Sequence, residues 1–158
     1  MLTYTATVEW TRHDSVFTDN KYSRAHSWRF DGGQSVPASS SPQVVRPPLS
    51  DPAGVDPEEA VVASVASCHM LWFLSKAAKA GYTIERYVDE PTGQVGKNAQ
   101  GKEWIERVVL SPRIEFRGGK APLDAEVLAL HRSAHEECCI ANSLRAEVVI
   151  EGGWTHSA

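Results

Sequence analysis

The sequence predicts a mixed fold in which strands cluster around two main helices instead of alternating with them one by one. Three observations carry this expectation. Period-two stretches stand at both ends of the chain. One long, apolar, doubly capped segment fills residues 56–81. Two stretches rich in β-branched and aromatic residues separate it from a second, amphipathic segment. Strand and helix alternate too poorly for a doubly wound sheet.

Taken in order, "YTATVEW" alternates apolar and polar residues and reads as a strand, and "AHSWRFDGG" as a second strand closed by a Gly-Gly turn. Residues 34–55 hold five prolines and five serines and are expected to form a long, semi-rigid loop. The helix that follows starts with Asp56 as N-cap, Pro57 at the first helical position and Glu59 placed for a capping box. Gly81 is a good residue to end it. From Ala60 to Phe73 it is apolar on nearly every side, so it should be buried all round. One small domain supplies that much cover with difficulty, which points to a second subunit.

"YTIERYVDEPTGQVGKN" and "KEWIERVVLSPRIEFRG", joined through "KNAQGK", read as a long-armed antiparallel hairpin. "APLDAEVLALHRSAHEECC" reads as an amphipathic helix with Val127, Leu128, His131, Ala134, His135 and Cys138 on one broad face. "IANSL" is a short turn or helix, and "RAEVVIEGGW" the last strand.

With 158 residues, a single domain spanning 1–158 is the default. The formal net charge of −4 argues against a nucleic-acid binder, whose footprint is a basic patch. No apolar run reaches the roughly 18 residues of a membrane span. The start of the chain lacks a basic region followed by an apolar signal core, so a cytoplasmic location is expected. In that compartment three cysteines do not make a structural disulfide framework. They are inert core residues, metal ligands or redox-active thiols.

Two of the three, Cys138 and Cys139, are adjacent. A zinc site wants about four ligands in paired short spacings. Here only His135, Cys138 and Cys139 lie close together, and no CxxC is present. A bridge between neighbours would be strained, because adjacent Cα atoms stand ~3.8 Å apart and disulfides prefer ~4.4–6.8 Å. Cys68 sits deep in the apolar helix, where desolvation disfavours its thiolate. It would need a cation from elsewhere, from Arg24, Arg29 or Arg46, and otherwise it is a core cysteine. His69 and His135 fit packing or a polar rim better than acid–base work, and the five tryptophans fit core and subunit contacts.

These motifs together resemble the OsmC/Ohr family of thiol-dependent hydroperoxide reductases. "DPEEAVVASVASCHMLWFLS" resembles the family helix, with its Asn/Asp-Pro-Glu-Glu start and a cysteine ten residues after the first glutamate, here Glu58 and Cys68. "CCIANSL" is similar to the second-cysteine motif, Cys-Pro-Val-Ser-x-x-Leu, which places the family cysteine on Cys138 and puts Cys139 where proline is usual. "WRFDGG" resembles the stretch carrying the family's active-site arginine, mapping it to Arg29, with Arg24 close by.

The resemblance implies an α+β, OsmC-like fold, with antiparallel sheets wrapped around a long central helix in an intertwined homodimer. It implies reduction of organic hydroperoxides by a peroxidatic and a resolving cysteine, Cys68 and Cys138, with no metal, haem or other cofactor. The reductant would be a dithiol, of lipoyl type in characterised members; neither nucleic acid nor membrane is an expected partner. Glu58 and Cys68 stand ~15 Å apart along one helix at ~1.5 Å per residue, so they cannot touch within a chain. An antiparallel pair of such helices would bring Glu58 of one subunit toward Cys68 of the other, where Glu58 could orient the arginine that activates the thiol. The rival expectation is a non-catalytic dimer of the same fold holding a small apolar ligand.

Overall fold

A computed structural model describes residues 1–158. The chain forms two compact units, Met1–Ala60 and Val61–Ala158. In the first, β1 (Ala6–Glu9), β2 (His26–Phe30) and β3 (Ser35–Ala38) make an antiparallel sheet in the order β1-β2-β3. The two predicted strands are therefore present. The predicted loop 34–55 is irregular only after Ala38, because its first residues form β3. Gly33, at φ 85°, closes the turn that folds Ser35–Ala38 back onto β2. Pro37 lies in β3 and is tolerated because that strand is an edge. The rest of the loop is tied down by Ser39 and Val55: Ser39 N donates to Val55 O, Val55 N donates to Pro37 O, and Asp51 N donates to Ser39 Oγ.

Helix α1 (Pro57–Lys79) starts and stops where the sequence predicts. Glu59 N donates to Asp56 Oδ1 at 2.8 Å, and Asp56 N donates to Glu59 Oε2 at 3.2 Å, which is the reciprocal capping box. At the other end Gly81 adopts φ 79°, Tyr82 N reaches Ala77 O and Gly81 N reaches Ala78 O, the pair of bonds of a glycine C-terminal cap.

In the second unit the long hairpin is present but broken in two. β5 (Thr92–Lys97) and β6 (Glu103–Leu110) pair around the predicted turn, and β4 (Thr83–Val88) pairs with β7 (Arg113–Arg117). Each arm is interrupted at a proline, Pro91 or Pro112, which cannot donate to a ladder. Asp89 Oδ1 takes up Ser111 N across the break at 2.7 Å. The expected last strand is likewise two, β8 (Glu147–Ile150) and β9 (Gly153–Ser157), which join β6 and β7 in parallel. Gly152 stands at that break, and a Cβ there would lie 2.4 Å from Pro112 O. Two three-stranded sheets result, β5-β6-β8 and β4-β7-β9.

Helix α2 (Asp124–Glu137) and the short α3 (Cys139–Ser143) complete the unit. Phe73 and Ala77 of α1 pack with Tyr82, Ile114 and Phe116 and with Val127, Leu130 and Ala134 of α2. Val65 and Ala66 of α1 pack with Val108 and Leu110 in a second cluster. Leu128, expected on the buried face of α2, is exposed, and Leu130 is buried in its place. Burial of α1 all round is also not met within the chain. Its Val65, Ala66, His69, Phe73 and Ala77 are buried, whereas Ala63, Ser64 and Ser67 are exposed and Leu71 is 61% exposed. By length and composition α1 could cross a membrane, despite the sequence expectation of no such run. Its role in both apolar clusters is that of a core helix.

Candidate functional site

The site is built on the middle of α1. Cys68 is half-buried and lines an open groove of about 640 Å³ together with Ala63, Ser64, Ser67, Leu71, Trp72 and Ser75. The spacing of these residues is that of one helix face, so the exposed stripe of α1 is also the wall of the groove. Its apolar members suit an alkyl chain, while the serines offer hydroxyls.

Cys138 comes to this thiol from 70 positions along the chain (138 − 68). α2 ends at Glu137, and Cys138 is an extended junction residue (φ −69°, ψ 101°) that caps the start of α3. Its Sγ accepts from Ala141 N at 3.4 Å. The expected helix face shared by His135 and Cys138 therefore does not form, because the helix stops one residue too early. At this extended residue Cys138 faces fully into the interior while Cys139 stays exposed. Burial first, and then the neighbouring Cys68 thiol, push the Cys138 thiol up to about 11. The two cysteines are thus close enough to interact, both free, and neither is bonded to Cys139. The Cys138 proton is tightly held, which fits a thiol that waits for an electrophilic sulfur instead of attacking first.

The other predicted residues have different surroundings. Glu58 is exposed in the first turn of α1 and makes no side-chain hydrogen bond or ion pair. Arg29, on β2, is paired with Glu9 across the β1–β2 ladder at 2.7 Å, both side chains 54% exposed. Arg24 donates to Asn20 O at 3.0 Å, to Asn20 Oδ1 at 2.8 Å and to Tyr22 O, and its guanidinium lies 4.0 Å from the Tyr22 ring centroid. Arg24 thus meets only neutral acceptors, whereas the charge of Arg29 is offset by a carboxylate. Arg46 is exposed in the Pro-rich segment.

No group of three or more His, Cys, Asp or Glu side chains converges in a way that could hold a metal ion. The weighed set of His135, Cys138 and Cys139 is divided by the junction, one cysteine facing in and the other out. The sequence reading did not single out His131 as a partner of His69. Their rings lie nearly parallel in the interior with His69 Nε2 and His131 Nδ1 3.0 Å apart. The only signal available was their place on the apolar faces of two helices, which most core histidines share.

Comparison with known proteins places the site in context. The fold matches an OsmC-like protein of unknown function from Vibrio cholerae with a TM-score of 0.94 and 52% identity, over 97% of this chain and 100% of that one. It also matches an organic hydroperoxide resistance protein from Elizabethkingia anophelis (TM-score 0.70, 15% identity, 99% of this chain and 98% of that one). A third match is the organic hydroperoxide resistance protein OhrB of Bacillus subtilis (TM-score 0.64, 18% identity, 98% of each chain). At those identities the last two show the shared fold. No curated protein matches the sequence. The family model described as OsmC-like protein matches residues 50–152, a range that holds α1, both cysteine motifs and every strand of the second unit except β9. An α+β architecture of this form, two thiols drawn together by α1 and the α2–α3 junction, and a family match over more than half its length make this chain a member of the OsmC-like protein family.

Proposed function

We propose that the chain is a cysteine-based peroxidase that reduces organic hydroperoxides to alcohols. The observation that carries this reading is the meeting of Cys68 and Cys138 from two separate family motifs. The Cys68 thiolate attacks the outer peroxide oxygen, the O–O bond breaks, and the alcohol leaves with a proton, so that Cys68 becomes a sulfenic acid. Cys138 condenses with it, giving up its proton, and water departs as the Cys68–Cys138 disulfide forms. An external dithiol, of lipoyl type in chemistry, returns both thiols by exchange and is itself oxidised. No cofactor enters the cycle.

In this reading Arg24 or Arg29 favours the Cys68 thiolate and Glu58 orients that arginine through a carboxylate–guanidinium fork. Arg24 is favoured because no carboxylate neutralises it. α1 is unbroken from Pro57 to Lys79, so a contact of Glu58 with the Cys68 environment requires the partner subunit's Glu58. The exposed face of α1 supports a homodimer. The protein would work as a single OsmC-like domain over 1–158, in the cytoplasm, against peroxide stress. Selectivity for organic peroxides follows from the Leu71 and Trp72 walls of the groove, since burial of alkyl surface stabilises binding by ~25 cal/mol per Å².

The test is consumption of cumene hydroperoxide with dihydrolipoamide as reductant, followed by mass spectrometry of the bridge. A rapid Cys68–Cys138 disulfide, loss of activity in Cys68→Ser and over-oxidation in Cys138→Ser are expected. Thiols unchanged by peroxide would overturn the assignment and leave a non-catalytic ligand-binding dimer, for which the apolar groove is the supporting observation.

A further inference from the structure

Two buried histidines have no part in that chemistry. His69, next to Cys68 on α1, is 1% exposed, and His131, seven positions before Cys138 on α2 (138 − 131), is 8% exposed. Their rings lie nearly parallel, 10° apart with centroids at 5.3 Å, and Nε2 of His69 is 3.0 Å from Nδ1 of His131. One nitrogen donates and the other accepts. The Phe73 ring packs 4.5 Å from the His131 ring centroid. The other nitrogen of His69, Nδ1, is buried without a partner. A helix contact that had only to exclude water would be served better by two leucines, which leave no polar atom unpaired.

The remaining contacts between α1 and α2 are apolar packing and one ion pair, and none of them is a buried hydrogen bond between side chains. Phe73 and Ala77 against Val127, Leu130 and Ala134 are non-directional. The Lys76–Glu137 pair, at 3.3 Å, has its carboxylate half exposed and is screened by solvent. The imidazole pair is a buried, directional bond, and it weakens steeply with displacement or misalignment. It sits beside Cys68 on one helix and two turns from Cys138 on the other. Disulfide formation tolerates only a narrow range of Cα separation and dihedral angle.

We propose that the His69–His131 hydrogen bond is a positioning clamp that helps set the register of α1 against α2 and so keeps Cys68 and Cys138 beside each other. Both histidines are positioning residues and neither touches the peroxide. This inference rests on the proposed role of the cysteine pair, and its test uses no peroxide.

The measurement is the equilibrium constant of the Cys68–Cys138 bridge in dithiothreitol redox buffers at pH 7, read by thiol alkylation and mass spectrometry. Melting temperature is followed alongside. The variants are His131→Leu, the double variant His69→Leu/His131→Leu and His131→Asn. The amide of asparagine can take the place of Nδ1. The two leucine variants are expected to lower the constant at least about tenfold, equivalent to a rise of ~30 mV in the two-electron potential. The double variant should do so even if it melts as high as the wild type, which a merely structural role would not produce. His131→Asn should stay within about threefold of the wild type.

A double-leucine protein with an unaltered constant overturns the clamp. So does a folded His131→Asn protein that loses tenfold, and this arm stands even if both leucine variants fail to fold. A wild type that forms no Cys68–Cys138 bridge in the buffers also overturns it. A wild type that forms the bridge in these buffers yet ignores cumene hydroperoxide defeats the peroxidase reading and leaves the clamp standing.

Discussion

Acidification should unfold this protein partly through His69 and His131. Burial lowers both imidazoles from 6.5 to about 4, and for His69 the neighbouring His131 and His135 add to the effect. In the unfolded chain both return to the ordinary value, so below pH 6.5 the unfolded state binds protons that the folded state refuses. Stability is therefore fully present above about pH 6.5, falls as the pH drops, and stops falling from this source below about pH 4. At ~1.4 kcal/mol per unit, each histidine costs about 2.5 kcal/mol by pH 4.5, and the pair up to about 5 kcal/mol. That is comparable with the whole stability of a small domain. Urea unfolding followed by circular dichroism at pH 7, 6, 5 and 4.5 measures the loss. The same series on His69→Leu/His131→Leu removes the contribution of the carboxylates, which titrate in both proteins. The wild type should lose at least about 2 kcal/mol more than the variant between pH 7 and pH 4.5. Parallel curves would refute the claim that the buried pair is held neutral.

Three further outcomes follow from the geometry. Asp56→Ala removes the acceptor for Glu59 N and should cost about 1 kcal/mol, seen as a lower urea midpoint with an unchanged slope. Gly152→Ala places a Cβ 2.4 Å from a backbone oxygen and should destabilise by roughly 1–3 kcal/mol, read as a lower melting temperature; an unchanged melt would show that the β8–β9 break is pliable. In the reduced protein at pH 8, iodoacetamide should modify exposed Cys139 well before Cys138, whose thiol is buried and raised to about 11. Peptide mapping gives the order.

Much of the fold is legible in the sequence because its signals are local. The capping box at Asp56 and Glu59 and the glycine at position 81 fix both ends of α1 by bonds spanning a few residues. The strands of the first unit and the β5–β6 turn follow from alternation and turn residues in the same way. The errors of the sequence reading fall where distant segments meet. Pro91, Pro112 and Gly152 are each a mild signal alone, and only their placement at the same bend cuts the hairpin and the final strand in two. Leu128 and Leu130 are equally apolar, and the cover supplied by the rest of the unit decides which is buried.

The site divides along the same line. Cys68, Cys138, Glu58 and the two arginines were found by their spacing within motifs, which a sequence displays directly. What the sequence by itself determined is which residues are the candidates for the proposed chemistry and which helix presents Cys68. Only the tertiary structure decided that α2 ends at Glu137, turning Cys138 inward to Cys68 and Cys139 outward to solvent, and that His69 and His131 share a bond inside. Those outcomes depend on where the cores close around chain ends and rings. Burial is a property of the packed whole, and no local pattern encodes it.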